Sequence, residues 1–331
     1  MERSITHNGR TGFGSLTPGG LKLDNFPMKL FTKGNGKVWN PAAIDFTQDA
    51  VDFAAMSADE QRLTMVLASQ FIGGEESVTQ DLQPFAAAMA AEGRLGDELY
   101  LTQFIYEEAK HTEGFRRFFN AIGHENTDLH QYVEYSDAYK QIFLDELPSA
   151  LYTLTEDPSP ANQIRASVTY NHVVEGCIAL TGYFAWAKMC QRRGILPGMQ
   201  KLVKHIGDDE RRHMAWGTFT CRRHIAADDR NWDAVSDRMQ ELLNPALNLI
   251  VNLFSEYEDR GIPFGITIDE MTDYALDKVN RRLESMESAR GLDPAGIDLD
   301  YSPADLEERF HIQDQKAIAD AIAQDKKLVG S

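Results

Sequence analysis

The sequence predicts an all-α protein whose centre is a four-helix bundle. Long stretches show the helical spacing of apolar side chains, and none shows the alternation that would demand a sheet. A motif, Glu-x-x-His, occurs twice, at Glu108–His111 and at Glu210–His213. A lone glutamate precedes each copy at a similar distance: Glu75 lies 33 residues before the first motif's glutamate, and Glu175 lies 35 residues before the second's. We therefore expect four helices, each carrying one part of this pattern, to pack together.

The first helix of the bundle is expected over residues 57–91. Acidic residues follow Ser57 in the first turn, and a glycine after residue 91 can end the helix. Gly73-Gly74 and Pro84 are poor residues for a helix interior. Their presence beside Glu75 predicts either close helix packing or a local distortion such as a kink.

Three more long helices complete the predicted bundle, over residues 97–119, 159–194 and 197–224. The second carries Glu108 and His111, the third carries Glu175, and the fourth carries Glu210 and His213. Residues 121–158 are less regular and predict only short helices. Two further helices are expected, over 231–259 and over 267–288, where Thr267 and Glu270 form a capping-box pattern.

The chain divides into three predicted parts. Residues 1–56 are rich in Gly, Pro and Asn and are expected to be an irregular N-terminal segment. Residues 57–290 form the helical domain with the metal site. Residues 291–331 form a C-terminal tail with a short helix after Ser302.

Composition and charge exclude some functions. The chain has 33 basic and 51 acidic residues, a formal charge of −18, which disfavours nucleic acid and anionic membrane surfaces as partners. Its three cysteines are well separated and form no C-x-x-C pair, as expected of a reduced, intracellular protein. No stretch of about 18 apolar residues is present. We expect a cytoplasmic protein without membrane insertion.

The paired motifs predict a site for two metal ions. Residues three apart share a helix face, so the glutamate and histidine of each motif can bind one ion together. Carboxylates and imidazoles suit iron and manganese better than the thiolate sites of structural zinc. Four glutamates also bring two divalent ions close to neutrality inside a buried site. The predicted ligands are Glu75, Glu108, His111, Glu175, Glu210 and His213.

Polar neighbours of the motifs are expected to support the ligands. Glu107 and Asp209 occupy matching positions, each directly before the glutamate of its motif. Each can accept a hydrogen bond from the histidine of the opposite motif and so orient it. His172 lies three residues before Glu175, but its counterpart before Glu75 is not a histidine, so we expect it not to be a ligand.

These residues resemble those of the ferritin-like superfamily and, within it, the ribonucleotide reductase small-subunit group. The sequence is most similar to its ligand-binding oxidase branch. The marks that carry the resemblance are GGEESVT at 73–79, Tyr170 five residues before Glu175, and DERRHMAWG at 209–217.

The resemblance implies a mixed manganese and iron cofactor, although a di-iron site accepts the same donors. Glu75, Glu108 and His111 would bind manganese. Glu175, Glu210 and His213 would bind iron. It also implies dioxygen as co-substrate, a long-chain fatty acid whose carboxylate reaches the metals, and a homodimer.

A covalent product is implied as well. In the family, activation by dioxygen joins a valine to a tyrosine through an ether bond, and the matching residues here are Val78 and Tyr170. Val78 lies three residues after Glu75, on the same helix face, so its tertiary Cβ–H can approach the metals.

Three other functions fit the motifs less well. A ribonucleotide reductase small subunit usually has a radical tyrosine where this chain has Phe115, and a tyrosine in its tail, whereas none follows Tyr301 here. A soluble acyl-carrier-protein desaturase has similar motifs but takes the acyl chain as substrate. Iron storage in the manner of ferritin needs a chain about half this length.

Overall fold

Helices make up all the regular structure in the residues that the computed structural model describes, which are 12–134, 136–257 and 259–329. The predicted all-α class is confirmed. The α-helices are α1 Phe26–Asn35, α2 Thr47–Ala54, α3 Ala58–Asp81, α4 Gln83–Ala91, α5 Leu95–Ala121, α6 Asp137–Lys140, α7 Leu147–Tyr152, α8 Pro160–Ser167, α9 Leu180–Arg193, α10 Pro197–Ala227, α11 Asn231–Asn252, α12 Ile268–Glu287 and α13 Ser302–Val329. Two π-helical segments, Gln141–Glu146 and Val168–Ala179, join α6 to α7 and α8 to α9.

The first bundle helix begins at a capping box. The Ser57 N–H donates to Glu60 Oε2 at 2.9 Å, and the Ser57 hydroxyl accepts from the Glu60 N–H at 3.3 Å. The prediction of one helix over 57–91 is wrong in one respect, because α3 ends at Asp81 and α4 begins at Gln83. Pro84 explains the break: it has no N–H to donate, and its ring clashes with the preceding turn.

Gly73 and Gly74 allow a close approach of α6 and of the π-helical segment that follows it. A Cβ on Gly73 would lie 2.5 Å from Tyr139 Oη, and a Cβ on Gly74 would lie 3.3 Å from Phe143 Cε1. Both glycines lie inside the continuous helix α3. Close packing is therefore what the two glycines provide, whereas the local distortion occurs further along, at the break before Pro84.

The third bundle helix is continuous from Pro160 to Arg193, but its centre is a π-helix, Val168–Ala179. Gly194, with φ of +68°, ends it in the left-handed conformation that glycine adopts at little cost. π-helical turns are uncommon and often mark functional sites. Tyr170 and Glu175 both lie in this turn.

The N-terminal segment is more regular than predicted. Residues 1–11 lie outside the described part, but α1 and α2 occupy much of the remainder. The Asn25 side chain caps α1 by accepting from the Met28 N–H at 3.1 Å, and Phe26 is fully buried in the core. The surrounding glycines and prolines conceal these short apolar stretches in the sequence.

The C-terminal tail is also more regular than predicted, because the expected short helix is α13, Ser302–Val329. Buried ion pairs attach it to α12, Glu307 to Arg282 and Asp314 to Lys278. Because ion pairs contribute to the packing of α13, its apolar stripe is weak, and the sequence pattern predicted only a short helix.

The remaining boundaries follow the prediction closely. The capping box of α12 is present, with the Thr267 hydroxyl accepting from the Glu270 N–H at 3.3 Å, whereas α11 ends at Asn252, earlier than expected. The division of the chain at residues 56 and 290 stays a prediction. Phe26, before the first boundary, and Ile318, after the second, belong to one continuous hydrophobic core. Across the described ranges, no helix combines the length and the apolar character needed to span a bilayer.

Candidate metal centre

The fold brings all six predicted metal ligands together at the centre of the bundle. Their donor atoms fall into two groups, each with all its atoms within 4.8 Å of one another. Glu108 and Glu210 belong to both groups and are placed to bridge two ions. The first group is Glu75, Glu108, His111 and Glu210, and the second is Glu108, Glu175, Glu210 and His213.

One nitrogen of each histidine faces the carboxylates. His111 Nδ1 lies 3.2 Å from Glu75 Oε2 and 3.4 Å from Glu108 Oε2. His213 Nδ1 lies 2.9 Å from Glu108 Oε1 and 3.2 Å from Glu210 Oε2. Both Nδ1 atoms are thus positioned to bind an ion held by the neighbouring carboxylates.

The other nitrogen of each histidine is held by the opposite motif, as the sequence predicted. His213 Nε2 lies 2.9 Å from Glu107 Oε2, and His111 Nε2 lies 3.4 Å from Asp209 Oδ2. Arg212 donates to both carboxylates, at 2.6 Å to Glu107 Oε1 and 2.7 Å to Asp209 Oδ1. The two motifs therefore orient each other's histidines through one buried, charged network.

Sequence reasoning missed several residues that contact this network. The Trp39 indole N–H donates to Asp209 Oδ2 at 2.7 Å, and Lys110 Nζ donates to the same atom at 3.1 Å. The Tyr183 hydroxyl donates to Glu210 Oε1 at 3.3 Å. Lys110 lies within the first motif and could have been considered, whereas no sequence pattern relates Trp39 or Tyr183 to the site.

Asn171 is a further residue that the sequence reasoning missed. Its amide donates to Glu175 Oε2 at 3.0 Å, four residues along the π-helix. The other oxygen of this carboxylate, Glu175 Oε1, is buried and accepts no hydrogen bond. Its nearest ion-pair partner is His213 Nδ1, at 3.5 Å. A buried carboxylate oxygen that accepts no hydrogen bond is expected of a metal ligand when its ion is absent.

The electrostatics of the site also favour cations. Burial raises the pKa of the Glu75 and Glu175 carboxyls well above the ordinary value, and neighbouring glutamates add to the shift. Burial alone would lower the pKa of His111 and His213, but the surrounding carboxylates raise it well above its usual range. Without ions the site therefore keeps protons, which metal binding would displace.

The donor set fits two iron or manganese ions. It consists of four carboxylates and two imidazoles, and the three cysteines of the chain are buried without a disulfide partner and belong to neither group. Hard oxygen donors with some nitrogen suit these metals. His172 is fully buried in the same π-helical segment as Glu175 and belongs to neither group.

A cavity with about 700 Å³ of empty space lies against the ligands. Glu75, Glu108 and Glu175 line one end of it, together with Val78 and Tyr170. The Tyr170 hydroxyl donates to Glu108 Oε1 at 2.8 Å. Apolar side chains from α3, α9 and α11 line the rest, among them Leu67, Phe71, Leu249, Leu253 and Phe254.

The model of the ribonucleotide reductase small-chain family matches residues 24–290, which is most of the chain. The chain belongs to this family. Membership confirms the predicted relationship and places the protein among oxidoreductase folds that hold a carboxylate-rich dimetal site.

Within the small-chain family, the chain is similar to solved structures of R2-like ligand-binding oxidases. One, with an aerobically reconstituted Mn/Fe cofactor, is 33% identical, with a TM-score of 0.80 over 84% of this chain and 98% of that one. Another, from Sulfolobus acidocaldarius, is 36% identical, with a TM-score of 0.79 over 87% and 98%. A variant with an Fe/Fe cofactor is 33% identical, with a TM-score of 0.80 over 84% and 99%.

Proposed function

We propose that this small-chain family member is a dinuclear oxidase that uses dioxygen for a two-electron oxidation. The observation that carries the proposal is the pair of ligand groups that share Glu108 and Glu210. Glu75, Glu108 and His111 would hold manganese, or iron in a di-iron form. Glu175, Glu210 and His213 would hold iron. When bound, the metals supply the redox chemistry that reduces dioxygen.

The cavity beside the ligands supports a long-chain fatty acid as the bound ligand. Its lining is almost entirely apolar away from the glutamates, as in most small-molecule pockets. An alkyl chain can lie against Leu67, Phe71 and Leu253. The carboxylate would then reach the metal end, where cations would compensate its charge.

We propose that Val78 and Tyr170 become joined by an ether bond. Both side chains are buried, at 3% and 0% exposure, and both line the same end of the cavity. The bond forms between Val78 Cβ and Tyr170 Oη as each atom loses its hydrogen. Dioxygen would take up the two electrons and two protons of this oxidation, with the bound metals supplying the redox chemistry, so the joined peptides would be two hydrogens lighter.

The chain's own residues set the course of this oxidation. Glu108 Oε1 holds the Tyr170 hydroxyl at 2.8 Å, which keeps the phenol oxygen at the metal end of the cavity. Glu107 and Asp209 keep the histidine rings oriented. The apolar cavity wall excludes water from the reacting carbon.

Peptide mass spectrometry after anaerobic loading with manganese and iron and exposure to air tests the proposal. We expect one joined peptide pair containing Val78 and Tyr170, absent in Tyr170→Phe. Tyr183→Phe is the matched control, because Tyr183 also lies at the ligands but does not line this cavity. Separate, unmodified peptides after full metal oxidation would contradict the crosslink and favour a reductase small subunit or a desaturase.

Two wider properties belong to the same proposal. We infer that the protein works in the reducing cytoplasm, because Cys177, Cys190 and Cys221 are all buried and unpaired. We also infer a homodimer, as the family resemblance implies. Light scattering coupled to size-exclusion chromatography measures the mass directly, and a value of one chain would overturn the homodimer.

A further inference from the structure

A second, larger cavity lies on the other side of α9 from the first. It has about 1380 Å³ of empty space, part of which is open to solvent, and it is bordered by α9, α10, α12 and α13. Gly182 and Ala185 line the first cavity, whereas Phe184, Trp186 and Ala187 line the second. Helix α9 is therefore a wall between two separate spaces. None of the six metal ligands lines the second one.

The pocket is a cleft, partly open to solvent, that combines apolar and charged side chains in its lining. It lies between well-formed helices, where Phe184 and Tyr274 stack with their ring centroids 4.5 Å apart. The Trp186 indole N–H, in the same wall, is buried without an acceptor.

Helix α13 borders this cavity without filling it. It lies beyond residue 290, where the match to the family model ends. Its inward face carries acidic side chains that are already neutralised, since Glu307 pairs with Arg282 and Asp314 pairs with Lys278. Helix α13 thus covers one side of the cavity and is held to α12 by these two ion pairs.

The unpaired charge at the cavity is positive. Lys201 and Lys204 line it from α10, are exposed, and form no ion pair within the described part of the chain. The remaining acid of the lining, Asp208, is paired with Arg211.

We propose that this second cavity binds an amphipathic carboxylate with an apolar body, of the size of a medium-chain fatty acid. The apolar body would lie against Phe184, Tyr274 and Ala187, and the carboxylate would lie at Lys201 and Lys204. Charge complementarity and apolar burial together select this class over a purely ionic or purely apolar ligand. The inference does not depend on the proposed oxidase function.

Photolabelling of the full-length, metal-free protein tests the site. The probe is decanoic acid with a diazirine at its far end, with the corresponding decanol as a neutral control. We expect saturable labelling of peptides that contain Phe184, Tyr274 or Phe310, and little labelling there by the alcohol. Labelling confined to first-cavity peptides around Phe71 and Leu253, or labelling that does not saturate, would overturn the proposal.

Charge variants provide the matched test. Lys201→Ala with Lys204→Ala should weaken decanoate binding at the second cavity by about tenfold, since two ammonium contacts are lost. Lys22→Ala with Lys316→Ala removes two exposed lysines that do not line the cavity, and binding should stay unchanged. All four side chains are exposed, so the variants should fold. Equal binding by both double variants would also overturn the proposal.

Discussion

At the residue scale, the histidines of the metal centre depend on carboxylates that bind no metal themselves. Glu107 and Asp209 each fix one ring, and Arg212 joins the two carboxylates. All three side chains are at least 97% buried, so the network is shielded from solvent. Orientation of each ligand is therefore a property of both motifs together.

Glu107→Gln should weaken metal binding at the second ligand group by roughly 10- to 100-fold, because glutamine has a single acceptor oxygen and cannot accept from both His213 and Arg212. Metal content after dialysis, measured by elemental analysis, checks this. Glu113→Gln, on the same helix but exposed and paired only with Arg117, is the control and should keep full metal content. Unchanged content in Glu107→Gln would show that the ring is oriented by packing alone.

His172 should make the metal-free protein sensitive to acid. Burial and the positive charge of Arg282 lower the pKa of the His172 imidazole to about 3. Neither ring nitrogen of His172 has a hydrogen-bond partner among the described residues. In the unfolded chain this histidine binds a proton near pH 6.5, whereas in the folded protein it stays neutral down to about pH 3. The free energy of unfolding therefore falls as the pH drops from about 6.5 toward 3, by up to about 1.4 kcal/mol per pH unit.

Thermal melts of the metal-free protein at pH 8 and pH 5 measure this effect. His172→Leu removes the titrating group, so its melting temperature should fall less between the two pH values than that of the wild type. His130→Leu, at an exposed histidine, is the control. A wild-type-like drop in His172→Leu would place the acid sensitivity elsewhere.

At the scale of elements, glycines decide how closely the π-helix and α10 approach. A Cβ on Gly217 would lie 2.3 Å from Asn171 Cβ, whereas a Cβ on Gly207 would meet nothing within 4 Å. Gly217→Ala should therefore cost about 1–3 kcal/mol by overpacking and displace Asn171 from Glu175. Gly207→Ala, in the same helix, should be neutral or stabilise by up to about 1 kcal/mol.

Chemical denaturation compares the two glycine variants on equal terms. Both lie in α10 and both replace hydrogen by methyl, so their difference isolates the contact with the π-helix. If Gly217→Ala and Gly207→Ala had equal free energies of unfolding, the π-helix and α10 could move apart without loss of stability. Such a result would contradict the tight packing around Asn171.

The bundle and the clustering of its six candidate ligands were predictable because their signals are local or strictly periodic. Glu-x-x-His places two candidate ligands on one helix face. The distances along the chain from Glu75 to Glu108 and from Glu175 to Glu210 match the length of chain needed to finish one helix, turn and enter the next. The π-helix around Tyr170 was not predictable, since one extra residue in a turn leaves the apolar pattern nearly unchanged. Trp39 contacts Asp209 from 170 residues away, and no sequence pattern encodes such a contact.

At the scale of the whole molecule, acidic side chains are concentrated at the centre of the bundle. Four ligand glutamates, with Glu107 and Asp209, are buried there, against one arginine, one lysine and two histidines. Two divalent ions would remove most of this excess. Folding and metal binding should therefore be coupled, with the metals acting as the final cross-link between the four helices.

Saturating manganese and iron, added without oxygen, should raise the melting temperature by roughly 5–10 °C. Binding at about 1,000 times the dissociation constant adds about 4 kcal/mol to the folded state. The gain should shrink from pH 7.5 to pH 5.5, because ions must displace protons from His111 and His213, whose pKa values are raised. Glu108→Gln should lose most of the gain, since Glu108 belongs to both ligand groups, whereas exposed Glu76→Gln should keep it. Equal gains in both variants, measured by differential scanning calorimetry, would mean that the stabilising ions bind outside this centre.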